Sequence, residues 1–345
     1  MCWAQTGKTI LLRRARNRPR ALPCGLGDPS RKTSEPRAHH FAPQCWLAGF
    51  TDTGRKDGRL FVTDLKRRKQ WPSSPPNAGH QRDLYRISED APDPVAFERV
   101  FSQMEDMIAP IFRSLYDEPR EPSVEELGGL LSFAALQYIR VPAFRPVLLK
   151  IADSIQRSVI SGALKSPAAW AAALKKADIP LDSPGADYES MLKFEREVVE
   201  TGQYKLSAEN EFYLVRGFRA AASAIMPAFQ SRYWGAVVSP TGSFIASDNP
   251  VVMDGPKGQV MGFKSAEVIF FVVNRHILLC GTNAPVRRPY VNRKLIARHN
   301  TFFMLTAEEQ LYSHVPDFCW LDETGRVRDD WAEFSKDNVL ASVTA

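Results

Sequence analysis

The hydrophobic period changes twice along this chain, and that order constrains the fold more than any single motif. Between residues 94 and 229, apolar residues recur at three- and four-residue spacing, the mark of amphipathic helices. Phe97, Phe101, Met104, Ile108, Phe112 and Leu115 belong to the first such stripe, over 94–116. Ser123-Val-Glu-Glu126 has capping-box form and opens a second helix, which Pro142 ends. Further helices are expected over 144–160, behind the cap Ser166, over 187–201 and over 208–229. On either side of this block the spacing switches to the alternation of strands. Before it come a hairpin, from 59–65 back through Gln70-Trp71, and a short strand over 83–87. After it, 234–240 turns at Thr241-Gly242 into a partner over 243–246, and strands follow over 267–273 and 276–280. A helix over 291–300 and a short strand over 301–305 complete the pattern. Strands that flank helices, rather than alternating with them, define an α+β class. The expectation is an antiparallel or mixed sheet, from N- and C-terminal strands, packed against a central helical block.

Charge narrows the function less than it first suggests. The chain carries a net +6, with a pI near 9.0. Residues 1–38 alone hold nine Lys/Arg and two acids, a net +7, so the remainder carries −1. A neutral body lacks the electrostatic footprint of a duplex binder, although residues 55–69 are locally basic. Residues 1–38 read as a disordered basic leader. A transit peptide, a nucleic-acid-binding arm or an upstream extension from a misplaced start codon would each have this composition, and the abrupt start of structured pattern at His39 favours the last. A single α+β domain is expected over 39–315 and a peripheral polar tail over 316–345. No apolar run reaches the ~18 residues a membrane-spanning helix needs. The five cysteines are odd in number, scattered and without a C-x-x-C pair, which fits a reducing, cytoplasmic setting.

The corner Ser247-Asp248-Asn249-Pro250 is the sharpest local feature. Asp and Asn accept turn geometry, and Pro forbids the strand from continuing. A carboxylate leaving a strand here could bind a metal, orient a water or receive an Arg; it could equally cap backbone groups. His39 and His40, with Gln44, offer an imidazole ligand or a base, at most one of the two acting and His40 the candidate, or else a capping or hydrogen-bonded core histidine. Gln137 and Arg140 share a helix face, so a polar pair there calls for a partner, with Asp248 a candidate for Arg140. Glu105 lies beside an apolar stripe and could join them. Arg82-Asp83 reads as a salt-bridged turn, and Asn292 first as a helix cap and then as a ligand-binding amide. Phosphate loops, dinucleotide fingerprints, H-E-x-x-H and G-x-S-x-G elbows are all missing from the sequence.

The run His39-His40-Phe-Ala-Pro43-Gln44-x-x-Leu47-x-x-Phe50 resembles the opening of the bacterial domain of unknown function 4238 family. The resemblance continues through Arg82-Asp83-Leu-Tyr85, Gln137-x-x-Arg140-x-Pro142, the 247–250 corner and 292–312, and covers residues 39–315. Cys45 and Trp46 stand where the family often has aromatic residues, and the basic leader and polar tail depart from it. The family is uncharacterised, so the resemblance implies one α+β domain and no reaction. Two readings of the polar residues follow. In a hydrolase or nuclease acting on a phosphate-containing substrate, Asp248 and Glu105 would bind a divalent metal and His40 would act as base. Arg140 would hold an anion, with Gln137, Asn249, Asn292, Arg82 and Asp83 contacting ligand. In a non-catalytic ligand- or protein-binding module, the same residues would form a structural hydrogen-bond network.

Overall fold

The computed structural model describes residues 37–88, 91–255, 262–285 and 290–339, together with the backbone of 2–6 and 9–13. The disordered-leader reading of 1–38 thus falls mostly outside the described residues. Within that segment Cys2–Thr6 and Thr9–Arg13 form two short antiparallel strands, and Ala38 begins the strand Ala38–His40. The chain divides into two compact units, one of residues 1–35 and 144–215, the other of 36–143 and 216–345. In the first unit Thr9–Arg13 lies parallel to Lys205–Ala208. Its helices are Phe144–Ala163, Pro167–Lys176 and Tyr188–Phe194, the last two capped by Ser166 and Asp187.

The second unit holds two four-stranded antiparallel sheets, as an α+β fold requires. One runs Val251–Asp254, Val268–Asn274, Ile277–Thr282, Tyr233–Val238. The other runs Lys69–Ser73, Leu60–Asp64, Gln310–Ser313, Ala246–Ser247. Its principal helices are Ala96–Asp117, Val124–Arg140 and Arg293–Thr306. The strand Val268–Asn274 is buried along nearly its whole length, which explains its unbroken apolar sequence. Trp46 anchors the N-terminal motif to it by donating its indole N–H to the Val272 carbonyl at 2.9 Å and stacking on Phe271. Gly49 makes this approach possible: a Cβ there would sit 2.6 Å from the Asn274 Cβ. Gly49→Ala is expected to cost about 1–3 kcal/mol by overpacking, read as an earlier urea midpoint at unchanged slope. Among the described residues, no single helix is long and apolar enough to cross a membrane.

Four local expectations are corrected. The hairpin expected between 234–240 and 243–246 is a passage between sheets. Tyr233–Val238 pairs with Ile277–Thr282, whereas Ala246–Ser247 pairs with Gln310–Ser313. The intervening backbone closes one turn on itself, Gly242 N–H to the Ser239 carbonyl at 3.2 Å, and at both ends bonds to the Arg275-His276 turn: Ser239 N–H donates to the His276 carbonyl at 2.7 Å, and Phe244 N–H to that of Arg275 at 3.0 Å. The strand expected over 83–87 ends before it begins, because His80–Arg82 pairs with Ala38–His40 and Asp83 takes a left-handed φ of 53°. Residues 301–305 continue the preceding helix to Thr306; their strand-prone composition loses to the helical spacing of buried Asn300, Phe303 and Met304. The tail is not peripheral. Trp320–Leu321 pairs with Val327–Arg328, Trp331 and Phe334 are buried, and the Arg68 guanidinium lies 5.6 Å over Trp331.

His299 is buried in the helix Arg293–Thr306, its ring 5.0 Å from that of Phe270, and its Nδ1 finds no hydrogen-bond partner. Burial, and then the Arg298 charge, push its pKa down from 6.5 to about 4. A histidine held neutral by the fold stabilises above its unfolded pKa, and that contribution is lost as pH falls through the folded value. Between pH 7 and pH 4 this group should cost on the order of 3 kcal/mol of stability. His299→Phe should flatten the decline by that amount in paired denaturant titrations.

Candidate functional site

The corner at 247–250 is built by backbone bonding. Ser247 closes a short turn, its hydroxyl donating to the Asn249 carbonyl at 2.8 Å and accepting from the Asn249 N–H at 3.2 Å. The Asp248 carboxylate faces the loop that follows the helix Arg293–Thr306. Its Oδ1 accepts the Glu308 N–H at 2.9 Å, and its Oδ2 accepts those of Glu309 and Gln310 at 2.7 and 2.9 Å. The Asp248 N–H in turn donates to the Gln310 carbonyl at 2.9 Å. Asn249 adds a bond from its Nδ2 to the Thr306 carbonyl at 3.3 Å. Asp248 is buried; burial raises its pKa and outweighs the three backbone donors that lower it, leaving it at about 6, so it is mostly ionised at neutral pH. Among these residues the corner ties helix end to sheet edge.

A second cluster lies between the N-terminal motif and two helices. Arg140, 4% exposed at the end of Val124–Arg140, pairs with Glu105 at 2.7 Å (Nη1 to Oε1). The Tyr85 hydroxyl donates to the Arg140 carbonyl at 2.9 Å and accepts from Arg140 Nε at 3.3 Å. The guanidinium also lies 4.5 Å over the Phe101 ring. The ionic partner of Arg140 is therefore Glu105, not Asp248 as the charge pairing suggested, because Asp248 is engaged by the 308–310 backbone. Two buried atoms of the cluster lack hydrogen-bond partners, Arg140 Nη2 and Glu98 Oε2. Burial raises the Glu98 carboxyl, against the pull of Arg140 and with the push of Glu105.

Gln137 donates its Nε2 to the Phe41 carbonyl, fixing the motif segment to the helix. His39, buried, accepts the Tyr85 N–H on Nδ1 at 2.9 Å and stacks on the Tyr85 ring. His40 places Nδ1 3.1 Å from the Ala78 carbonyl and Nε2 3.0 Å from Gln44 Nε2. Burial, His80 and Arg140 lower its pKa to about 4 against the Ala78 bond, so its ring is neutral at pH 7. Cys45 belongs to the same surroundings; burial and then Glu105 push its thiol up to about 12, which keeps it protonated. Arg82 Nε meets Asp83 Oδ2 at 3.3 Å, as a salt-bridged turn.

The structure thus gathers Glu105, Gln137, Arg140 and His40 with His39 and with two residues the site reading missed, Glu98 and Tyr85. Glu98 had a signal: residues 98, 101, 105, 108, 112 and 115 alternate three- and four-residue steps, so two acids stand in an apolar stripe. Asp248 and Asn249 are engaged at the corner. Asn292 caps its helix, its Oδ1 accepting the Leu295 N–H at 2.8 Å, and lines a separate cavity of about 510 Å³. Among the described residues, no group of three or more His, Cys, Asp or Glu side chains is placed to hold a metal ion.

No curated protein and no solved structure matches the chain. The motifs that build both the Arg140 cluster and the Asp248 corner lie within residues 38–317, which match the model of the family described as protein of unknown function DUF4238. The match spans most of the chain, and the protein belongs to that family.

Proposed function

We propose that the protein is a non-catalytic module that binds a small ligand, with the 247–250 corner and the Arg140 cluster as its internal framework. The reading rests on Asp248, both of whose carboxylate oxygens accept backbone N–H groups. Three of the carboxylate's roughly four lone-pair sites are thereby filled, which leaves at most one for a metal. Arg140, likewise, is already neutralised by Glu105 and would have to leave it to clamp an external phosphate. A reducing cytoplasmic setting accords with this reading, since Cys45, Cys280 and Cys319 are free thiols.

The second reading is a hydrolase or nuclease acting on a phosphate-containing substrate. It draws on the unsatisfied Arg140 Nη2 and Glu98 Oε2, which offer a donor and an acceptor in one cluster. The two readings part in an assay of phosphodiester hydrolysis with bis(p-nitrophenyl) phosphate and Mg²⁺ or Mn²⁺. No metal-dependent turnover is expected, and Asp248→Asn should change melting temperature alone. Metal-dependent turnover that disappears in a normally stable Asp248→Asn protein would sink the binding-module reading.

A further inference from the structure

The cavity at Asn292 shares no lining residue with the Arg140 cluster or with the 247–250 corner. Its lining comes from the 239–245 passage, the first turn of the helix Arg293–Thr306, residues 313–319 and Asp329. Its volume of about 510 Å³ is that of small-molecule sites in general. The charges of its lining are Arg293, which is paired with Asp329, and the exposed carboxylate Asp317 at the rim, so the lining has no cation to spare for an anion; its other polar groups are uncharged. Ser239, Thr241 and Ser243 form a hydroxyl chain, with Oγ to Oγ1 and Oγ1 to Oγ separations of 3.1 and 3.0 Å. Each hydroxyl can donate once and accept twice, so this chain retains bonding capacity for a ligand. Asn292 spends its carbonyl oxygen on the helix cap and keeps its amide N–H groups. Burial, before the neighbouring Arg275 and His276, lowers the His314 pKa to about 4, leaving a neutral ring with both a donor and an acceptor. Arg293, the cation of the lining, is paired with Asp329. Buried Ile245, Ile296 and Phe318 supply apolar contact. Cys319 also lines the cavity, but burial raises its thiol and its Sγ is directed to the Arg293 carbonyl at 3.9 Å, so it is no nucleophile.

We infer that this cavity binds an uncharged, hydroxyl-rich ligand with one apolar face, of the size of a nucleoside or a disaccharide, held by the Ser239–Thr241–Ser243 hydroxyl chain. The inference rests on the binding-module reading and supplies its ligand class. A paired cation and neutral donors give an anionic group nothing to gain, whereas vicinal hydroxyls match a hydroxyl chain in donor and acceptor count.

The test is calorimetric titration and thermal shift of the full chain with adenosine, uridine, maltose and AMP. The nucleoside and sugar arms separate the two sources of the same chemistry. At least one uncharged ligand should bind saturably, and AMP should bind no more tightly than adenosine. Thr241→Val, which removes one hydroxyl at constant shape, should weaken that binding about tenfold, or ~1.4 kcal/mol. Ser239→Ala serves as the second variant if Thr241→Val melts early. Absence of binding by every uncharged ligand, or tighter binding of AMP than of adenosine, would overturn the ligand class. Binding that both variants leave unchanged would overturn the cavity assignment alone. Conversion of AMP to adenosine would instead overturn the binding-module reading, and its product distinguishes that failure from the others.

Discussion

Replacing Arg140 with alanine is expected to lower stability by about 3 kcal/mol, or ~6–12 °C in melting temperature, without abolishing ligand binding. The side chain is almost wholly buried and holds three partners at once: the Glu105 carboxylate, the Tyr85 hydroxyl and the Phe101 ring. Truncation strands Glu105 and leaves Glu98 without the one cation that offsets its burial. Glu105 retains some solvent access, its side chain being 20% exposed, which sets the figure at the low end for a broken buried pair. The double variant Arg140→Met, Glu105→Gln removes both charges and keeps volume, so it should recover a substantial part of the loss. An Arg140→Ala protein that melts normally would mean that the pair contributes nothing to the fold.

Asp248→Ala is expected to cost about 2–4 kcal/mol, because it orphans three backbone N–H groups in one step. The loop they belong to is partly exposed, so water can reach some of them, and this keeps the cost below a simple sum. Asp248→Asn should cost about half as much, since one acceptor oxygen survives and the new amide faces donors. The damage should be local. The strand Gln310–Ser313 has Leu60–Asp64 and Ala246–Ser247 as its neighbours, and the corner fixes where that strand begins. Chemical-shift changes in Asp248→Ala should therefore concentrate at 306–313 and 246–250.

Much of the helical part of this fold is legible in the sequence because helices are local. The capping box at Ser123 and the caps Ser166, Asp187 and Asn292 are short-range bonds, and each is present. Strand pairing is not local, and there the sequence misled. The runs over 234–240 and 243–246 carry a turn between them, but their partners lie about 40 and 65 residues further on. The polar residues show the same division. Sequence marks Arg140 and Gln137 as needing partners, since charge and amide on an apolar helix cannot stay unpaired. It does not say which carboxylate answers, and Glu105 is no more visible than Asp248. In the tail, Trp331 and Phe334 stand among mainly polar residues without a sustained period, and the run 318–321 is too short to show one, so their burial could not be read.

Hydrogen exchange at the Glu308, Glu309 and Gln310 amides tests most directly whether Asp248 is a structural anchor. The loop is otherwise too exposed to protect three successive N–H groups. In the wild-type protein all three should exchange slowly, and in Asp248→Ala they should exchange at nearly the rate of an open loop. Fast exchange of these amides in the wild type, joined to Mn²⁺ broadening of the resonances around Asp248, would contradict the account and return the carboxylate to the role of metal ligand.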